Sequence, residues 1–228
     1  MSISKFYRAV MSITPQALLC NSSREQCIKK LNELPSFITN NKLKVNAAVL
    51  VPLCVVDNEV CLLYTLRSSN LNTHKGQVSF PGGKMDAGES VYDTAVRETE
   101  EEIGFRSEDI EIWAKMSPVQ GRDTNIVIVP VVGLLKNFDM KKLKPNMDEV
   151  AEIFTVPMKL FCDKENHASF VHNNLTIPLY EVGSKYRIWG ITGMITHFFL
   201  QSFLPEDIYQ TDFLKKEYKL EELLTSKL

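Results

Sequence analysis

Glu98, Glu100, Glu101 and Glu102 place four carboxylates within five positions of the stretch GGKMDAGESVYDTAVRETEEEIGF, residues 82–105. Like charges at helical spacing repel one another. The acids also crowd the end of the expected helix, where the helix dipole is negative and cations are favoured. No lysine falls within residues 90–103 to soften the repulsion. Phe80-Pro81-Gly82-Gly83 stands just upstream, and glycines there permit close approach of backbone to a ligand. The bland alternative is a solvated acidic face. The cost of the arrangement favours instead a site for a hard divalent cation, because clustered carboxylate oxygens suit Mg2+ or Mn2+.

The elements that must position these groups are legible nearby. Ser90 three residues before Asp93 makes a capping-box start and Gly104 a stop, so a helix is expected over about 90–103. Helical periodicity puts Tyr92, Val96, Thr99 and Ile103 on a core-facing stripe. It groups Glu98, Glu101 and Glu102 on another, with Val91 and Ala95 behind them, and leaves Arg97 and Glu100 on the remaining side. VNAAVLVPLCVV (45–56) and VCLLYTLR (60–67) read as strands joined by a turn at Asp57-Asn58. Further strands are expected near residues 110–117, 126–135 and 150–156. KYRIWGITGMITHFFLQSF (185–203) reads as a long C-terminal helix that buries Ile188, Ile191, Ile195, Phe198 and Phe199, with Trp189 in the core. Residues 22–35, with Ile28, Leu31 and Leu34, form a short amphipathic helix stopped by Pro35. That helix belongs to an extension over residues 1–40, ahead of an α/β sandwich around one sheet.

The 228 residues suffice for one large domain without disulfides. Their five cysteines, Cys20, Cys27, Cys54, Cys61 and Cys162, are scattered and show no CxxC spacing, which argues for free thiols and against zinc. Cys54 and Cys61 read as small core residues. A net charge of −2 with no basic stripe makes nucleic acid an unexpected partner. No apolar run is long enough to span a bilayer. Ser226-Lys227-Leu228 resembles a peroxisomal address read by an import receptor. The acid-free first 24 residues, with Lys5, Arg8 and Arg24, match a mitochondrial presequence more weakly. The expected compartment is the peroxisome, with the mitochondrion as the alternative.

Gly83, Glu89, Arg97-Glu98, Thr99, Glu101-Glu102, Gly104 and Phe105 stand at the spacing G-x5-E-x7-R-E-U-x-E-E-x-G-U. This resembles the Nudix box, with Thr99 and Phe105 at two positions where the pattern has a bulky aliphatic. Upstream, Leu63-Tyr64-Thr65-Leu66-Arg67-Ser68, Asn72, Gly76 and Phe80-Pro81-Gly82-Gly83 resemble the signature of the coenzyme A diphosphatases in that family. Tyr64 replaces a leucine of the signature and Asn72 its second arginine. Asp148-Glu149-Val150 and Ile188-Trp189-Gly190-Ile191-Thr192 also look like family features. The resemblance implies an α/β/α sandwich with a mixed sheet over residues 41–225, and metal-dependent cleavage of the diphosphate of coenzyme A or its acyl esters; the alternatives are another nucleoside-diphosphate-linked substrate, NADH or a nucleotide cap on RNA, and a non-catalytic module that binds coenzyme A or nucleotides. It implies Glu98 and Glu102 as metal ligands, with Glu101 as a further ligand or as the base; the base is left open among the three. Glu89 and Arg97 are expected to hold these carboxylates in register. Gly82 and Gly83 let the backbone approach the metal. Arg67 is the first candidate for a substrate phosphate, a structural ion pair being an equal alternative, and His74 and Lys75 come next. Arg122, Lys185 and Arg187 are further possible phosphate contacts. Glu149 and Glu152 are expected in solvent-exposed salt bridges, with a metal ligand from that loop as the alternative. His167, His172 and His197 are expected to be structural, and Phe161 and Phe170 to be core.

Overall fold

Two strands rich in β-branched residues start the sheet. β1 (Ala47–Val56) and β2 (Glu59–Arg67) form an antiparallel hairpin. Its two-residue turn, Asp57-Asn58, has positive φ at both positions, the twist that suits a tight hairpin. The computed structural model describes residues 13–36, 38, 44–70, 75–120, 126–172, 175–183 and 185–225. β3 (Val78–Ser79), β4 (Gly82–Lys84), β5 (Ile110–Lys115), β6 (Val119–Gln120), β7 (Val127–Leu135) and β8 (Val150–Pro157) complete an eight-stranded sheet. Its main path runs β3-β2-β1-β7-β5, with β4 paired to β1, β6 to β7 and β8 to β2. The β1–β7 pair is parallel and the others are antiparallel, so the sheet is mixed.

Three long helices pack on this sheet. α3 (Val91–Ile103) lies on one face, over a cluster that includes Ala48, Leu50, Leu63, Ala95 and Ile103. α2 (Asn21–Asn32), which follows the short α1 (Pro15–Leu18), and α5 (Gly190–Phe203) bury Cys27, Leu31, Ile195, Phe199 and Leu200 in a larger cluster with Val51, Leu53 and Leu62. The short α4 (Met158–Cys162) follows β8 directly. β1 serves both clusters through the two-residue period of a strand. Ala48, Leu50 and Cys54 join the α3 side; Val51 and Leu53 join the other, where Ala47 and Val49 line a cavity. This is the expected α/β/α sandwich.

Two expectations are corrected. Residues 185–203 are not one helix: Tyr186–Ile188 form strand β11, which pairs with β10 (Leu175–Val182), and the helix begins only at Gly190, whose φ is +63°. Ile188 is buried from that strand, while Trp189 is half-buried. There is also a second, four-stranded sheet, β11-β10-β9-β12, with β9 at His167–His172 and β12 at Glu217–Tyr218, ahead of a terminal helix α6 (Leu220–Thr225). The helix of the N-terminal segment packs on the main domain, as its amphipathic pattern leads one to expect: it contributes Cys27 and Leu31 to the core, and Arg24 pairs with Glu111 of β5. No helix among the described residues is long and apolar enough to cross a membrane.

Candidate active site

The glutamate-rich helix starts and stops as its sequence demands. The Ser90 hydroxyl accepts from the Asp93 N–H and the Asp93 carboxylate accepts from the Ser90 N–H, a reciprocal capping box. Gly104 ends α3 with φ +69° and donates its N–H to the Glu100 carbonyl. The faces differ from the periodic reading. Thr94, Ala95, Thr99, Glu102 and Ile103 are buried, whereas Tyr92 is exposed. The three acidic candidates therefore do not share one solvent face: Glu102 is 3% exposed, Glu98 is mostly covered, and the Glu101 side chain is 58% exposed. Glu100 points away and bonds Ser107.

Arg97 supplies the positive charge that the sequence lacked in lysines. Its Nε and Nη2 fork the two Glu89 oxygens at 2.6 and 3.0 Å. Its Nη1 reaches Glu98 at 3.1 Å and Glu101 at 3.0 Å, and Nη2 also bonds the Lys84 carbonyl at 3.2 Å. Glu89 is fixed further by the Asp86 N–H at 3.0 Å and the Thr94 hydroxyl at 2.8 Å. The Arg97 fork, then those two donors, hold the Glu89 carboxyl down at about 2. The planar guanidinium makes five bonds here, including a two-point fork, whereas a lysine ammonium has only three donors and no fork.

Glu98 and Glu102 lie one turn apart, beneath β4. A Cβ on Gly83 would sit 2.5 Å from the Glu98 carboxyl, so only glycine lets that carboxylate lie against the strand. Gly82, with φ +151°, is pressed equally close to the backbone of Ala48 and Val49. Burial raises the Glu98 carboxyl above its usual range, with Glu101 and Glu149 adding to the rise and Arg97 opposing it. Burial pushes Glu102 to about 8, against the pull of Arg67 and the Gly82 N–H and with the help of Glu98 and Glu149. Glu102 Oε2 is buried and has no hydrogen-bond partner. Leaving such an oxygen unsatisfied is costly, so the geometry fits a bound cation. Among the described residues no three His, Cys, Asp or Glu side chains are already converged as a cage.

A cavity of about 290 Å³ adjoins this cluster, and Gly82, Gly83 and Arg67 are among the residues that line it. Arg67 sits where the β2–β8 register slips, a bulge that re-aims a side chain. Its Nε is buried without a partner, and no salt bridge ties it among the described residues. Its charge nevertheless bears on the buried Glu102 carboxyl. Lys75 is exposed and is not on the cavity wall. His74, Asn72 and Arg122 lie outside the described residues, as do Ser226, Lys227 and Leu228. Lys185 is bound to Glu152, and Arg187 to Glu181. Glu149 bears on Glu98 and Glu102, so the loop carboxylate facing the site is Glu149 and not Glu152. Only its position after Asp148 marked it in the sequence. His167 donates through Nε2 to the Phe161 carbonyl and accepts from the Asp212 N–H at Nδ1, a structural role. Phe161 and Phe170 are both buried in apolar clusters.

Residues 44–173 match the family model described as the NUDIX domain. The chain belongs to the Nudix family. It is 30% identical over 231 residues to Nudix hydrolase 3 of Caenorhabditis elegans, across 92% of this chain and 96% of that protein. It is 42% identical to the mitochondrial coenzyme A diphosphatase of Homo sapiens, across 70% of each chain. To the peroxisomal coenzyme A diphosphatase of Mus musculus it is 32% identical, across 70% of this chain and 69% of that one. The relatives support the diphosphatase branch without singling out its peroxisomal type. The departures from the Nudix pattern are absorbed by packing. Thr99 is buried and donates to the Ala95 carbonyl at 2.7 Å, and Phe105 packs on Phe138 with ring centroids 6.2 Å apart. Tyr64, fully buried, bonds Thr196 at 2.9 Å and stacks on Phe80 at 4.7 Å.

Proposed function

We propose that this Nudix hydrolase cleaves the diphosphate of coenzyme A and its acyl esters, giving 3',5'-ADP and (acyl-)4'-phosphopantetheine. The observation that carries the reading is the pairing of Glu98 and Glu102 beneath Gly83, with a partnerless Glu102 oxygen, beside a cavity whose one charged described residue is Arg67. The names of the human and mouse relatives support coenzyme A as the substrate.

In this reading Glu98 and Glu102 hold Mg2+ or Mn2+. Such an ion, when bound, offsets the diphosphate charge and lowers the pKa of a water. Arg97, fixed by Glu89, keeps Glu98 and Glu101 in register. Glu101, on the exposed rim, takes the proton of the attacking water. Arg67 binds a phosphate oxygen and stabilises the charge that grows on it. For the compartment, Ser226-Lys227-Leu228 supports handover to a peroxisomal import receptor, and the mitochondrial relative supports the alternative. Imaging of the full chain with an N-terminal fluorescent tag, with and without Leu228, separates the two.

The deciding assay follows purified protein with Mg2+ on coenzyme A, dephospho-coenzyme A and NADH, with products identified by mass. Coenzyme A should be preferred and should yield 3',5'-ADP. Equal rates on NADH would remove coenzyme A as the substrate, and turnover that survives EDTA would remove the metal mechanism.

A further inference from the structure

Part of the cavity wall lies past the Nudix match. The family model matches residues 44–173, whereas Trp189, Ile191, Thr192 and Ile195 on the wall come from the joint between β11 and α5 and from α5 itself. Little within that joint fixes its own conformation. Trp189 occupies the N-cap position of α5 and makes no side-chain capping bond, so the helix start lacks the usual local anchor. Gly190, next in the chain, has φ +63°, a turn that glycine makes without steric cost. The direction of the indole therefore depends on what packs on it.

The C-terminal segment supplies that packing. Trp189 is half-buried against a small apolar cluster of Ala168, Phe170, Leu179 and Leu223. The Phe170 ring meets the indole edge to face, with centroids 5.6 Å apart and planes at 83°. Leu223 comes from α6, which packs on β9; it is 6% exposed, although its neighbour Leu224 is 47% exposed. A helix of six residues is too short to persist by itself in water, so α6 stays in place through Leu223 and the partly buried Leu220. The strand before it is tied to the same sheet. Tyr218 of β12 pairs with Phe170 of β9. The Tyr218 hydroxyl donates to Glu181 of β10, and Lys216 reaches the same carboxylate at 2.6 Å. Arg187 of β11, two residues before Trp189, lies over the Tyr218 ring at 4.9 Å. Residues 216–223 thus grip β9, β10 and β11 around the indole. Glu98 is seated separately, by Gly83 of β4.

We infer that α6 braces the substrate cavity: Leu223, through the cluster it shares with Phe170, is a positioning residue that holds Trp189 on the cavity wall, a role that rests on the coenzyme A reading above only for the substrate of the assay. Loss of the brace should weaken substrate binding and leave the chemical step intact, because the carboxylates are held by other elements.

The test compares Leu223→Ala with Leu223→Met and Leu224→Ala in the full chain. The protein has two tryptophans, Trp113 and Trp189, so in a Trp113→Phe background the emission reports Trp189 alone. Leu223→Ala should shift that emission to the red and raise its quenching by acrylamide. With Mg2+ and coenzyme A it should raise KM by about threefold or more, the scale on which residues that touch no ligand modulate binding, while kcat stays within about twofold. Leu223→Met keeps most of the buried volume and should return both readouts towards the wild type. Leu224→Ala should change neither. If Leu223→Ala melts early, Leu220→Ala in the same cluster takes its place. An unmoved Trp189 signal, a moved signal with unchanged KM, a fall in kcat alone, or equal effects of Leu223→Ala and Leu224→Ala would overturn the brace. Absence of coenzyme A turnover in the wild type defeats the functional reading itself, and the brace is then decided by Trp189 emission and quenching.

Discussion

Replacing Gly83 by alanine should separate chemistry from folding. The new methyl would lie 2.5 Å from Glu98 Cδ and Oε1 and 2.6 Å from Oε2. Comfortable contact needs about 3.5 Å, so the carboxylate must retreat by about 1 Å. A displacement of that size at a reacting centre costs on the order of 10²-fold in rate, or about 2.7 kcal/mol of transition-state stabilisation. Stability should hardly move. The group that yields is the end of a flexible side chain, Gly83 is not among the positive-φ residues, and a less flexible unfolded chain offsets a few tenths of a kcal/mol. Gly82→Ala is the contrasting control. Its methyl would meet the Ala48 carbonyl oxygen at 2.4 Å and Val49 Cα at 2.5 Å, both backbone of the central strand, from a φ of +151°. That should destabilise by about 3 kcal/mol or more, lowering Tm by roughly 6–12 °C for a chain of this size. The assay pairs kcat/KM on coenzyme A with a thermal melt. If Gly83→Ala keeps its activity within about threefold, or melts as early as Gly82→Ala, the placement of Glu98 against β4 is wrong.

Arg97→Lys keeps the charge but loses the fork to Glu89 and the shared bonds to Glu98 and Glu101; kcat should fall about 10–100-fold, read by steady-state kinetics. Thr94→Val removes the hydroxyl that Glu89 accepts from and should lower kcat by about tenfold, while Thr94→Ser keeps it; equal loss in both would show that only packing matters. Glu98→Gln and Glu102→Gln should each reduce turnover far more than folded yield, and EDTA should stop the wild type until Mg2+ or Mn2+ is restored. In metal-free protein Glu102 is raised from 4.5 to about 8, so between those values the folded state holds a proton that the unfolded state releases. Stability contributed by this group therefore falls as pH rises through that window; Tm after EDTA treatment should decline towards pH 8, Glu102→Gln should flatten the decline, and a rising Tm would contradict the burial of that carboxyl.

The elements set by neighbouring residues are legible in the sequence, and those set by distant partners are not. Ser90, Asp93 and Gly104 act within one turn of chain, and the helix they bound is the one observed. Asp57-Asn58 likewise set the hairpin by its own backbone. Periodicity misplaced Tyr92 and Glu102 because it ranks residues by polarity, whereas β4 and Arg67 decide which oxygen is covered. Tyr186–Ile188 became a strand because β10 pairs with it, a contact invisible in a segment that otherwise reads as apolar helix. Glu149 joins Glu98 and Glu102 from a loop about 50 residues downstream in the chain, where spacing alone carries no signal. Thr94 was missed because a buried hydroxyl that steadies a glutamate looks, in a sequence, like any helix threonine.

The alternation along β1 has a consequence for how such an enzyme diversifies. Ala48 and Leu50 support the catalytic helix, while Ala47 and Val49 face the cavity. Neighbouring codons of a single strand thus address two separate properties. A lineage can reshape what is admitted by altering one set of alternate positions, and the machinery that breaks the bond is inherited intact on the other side.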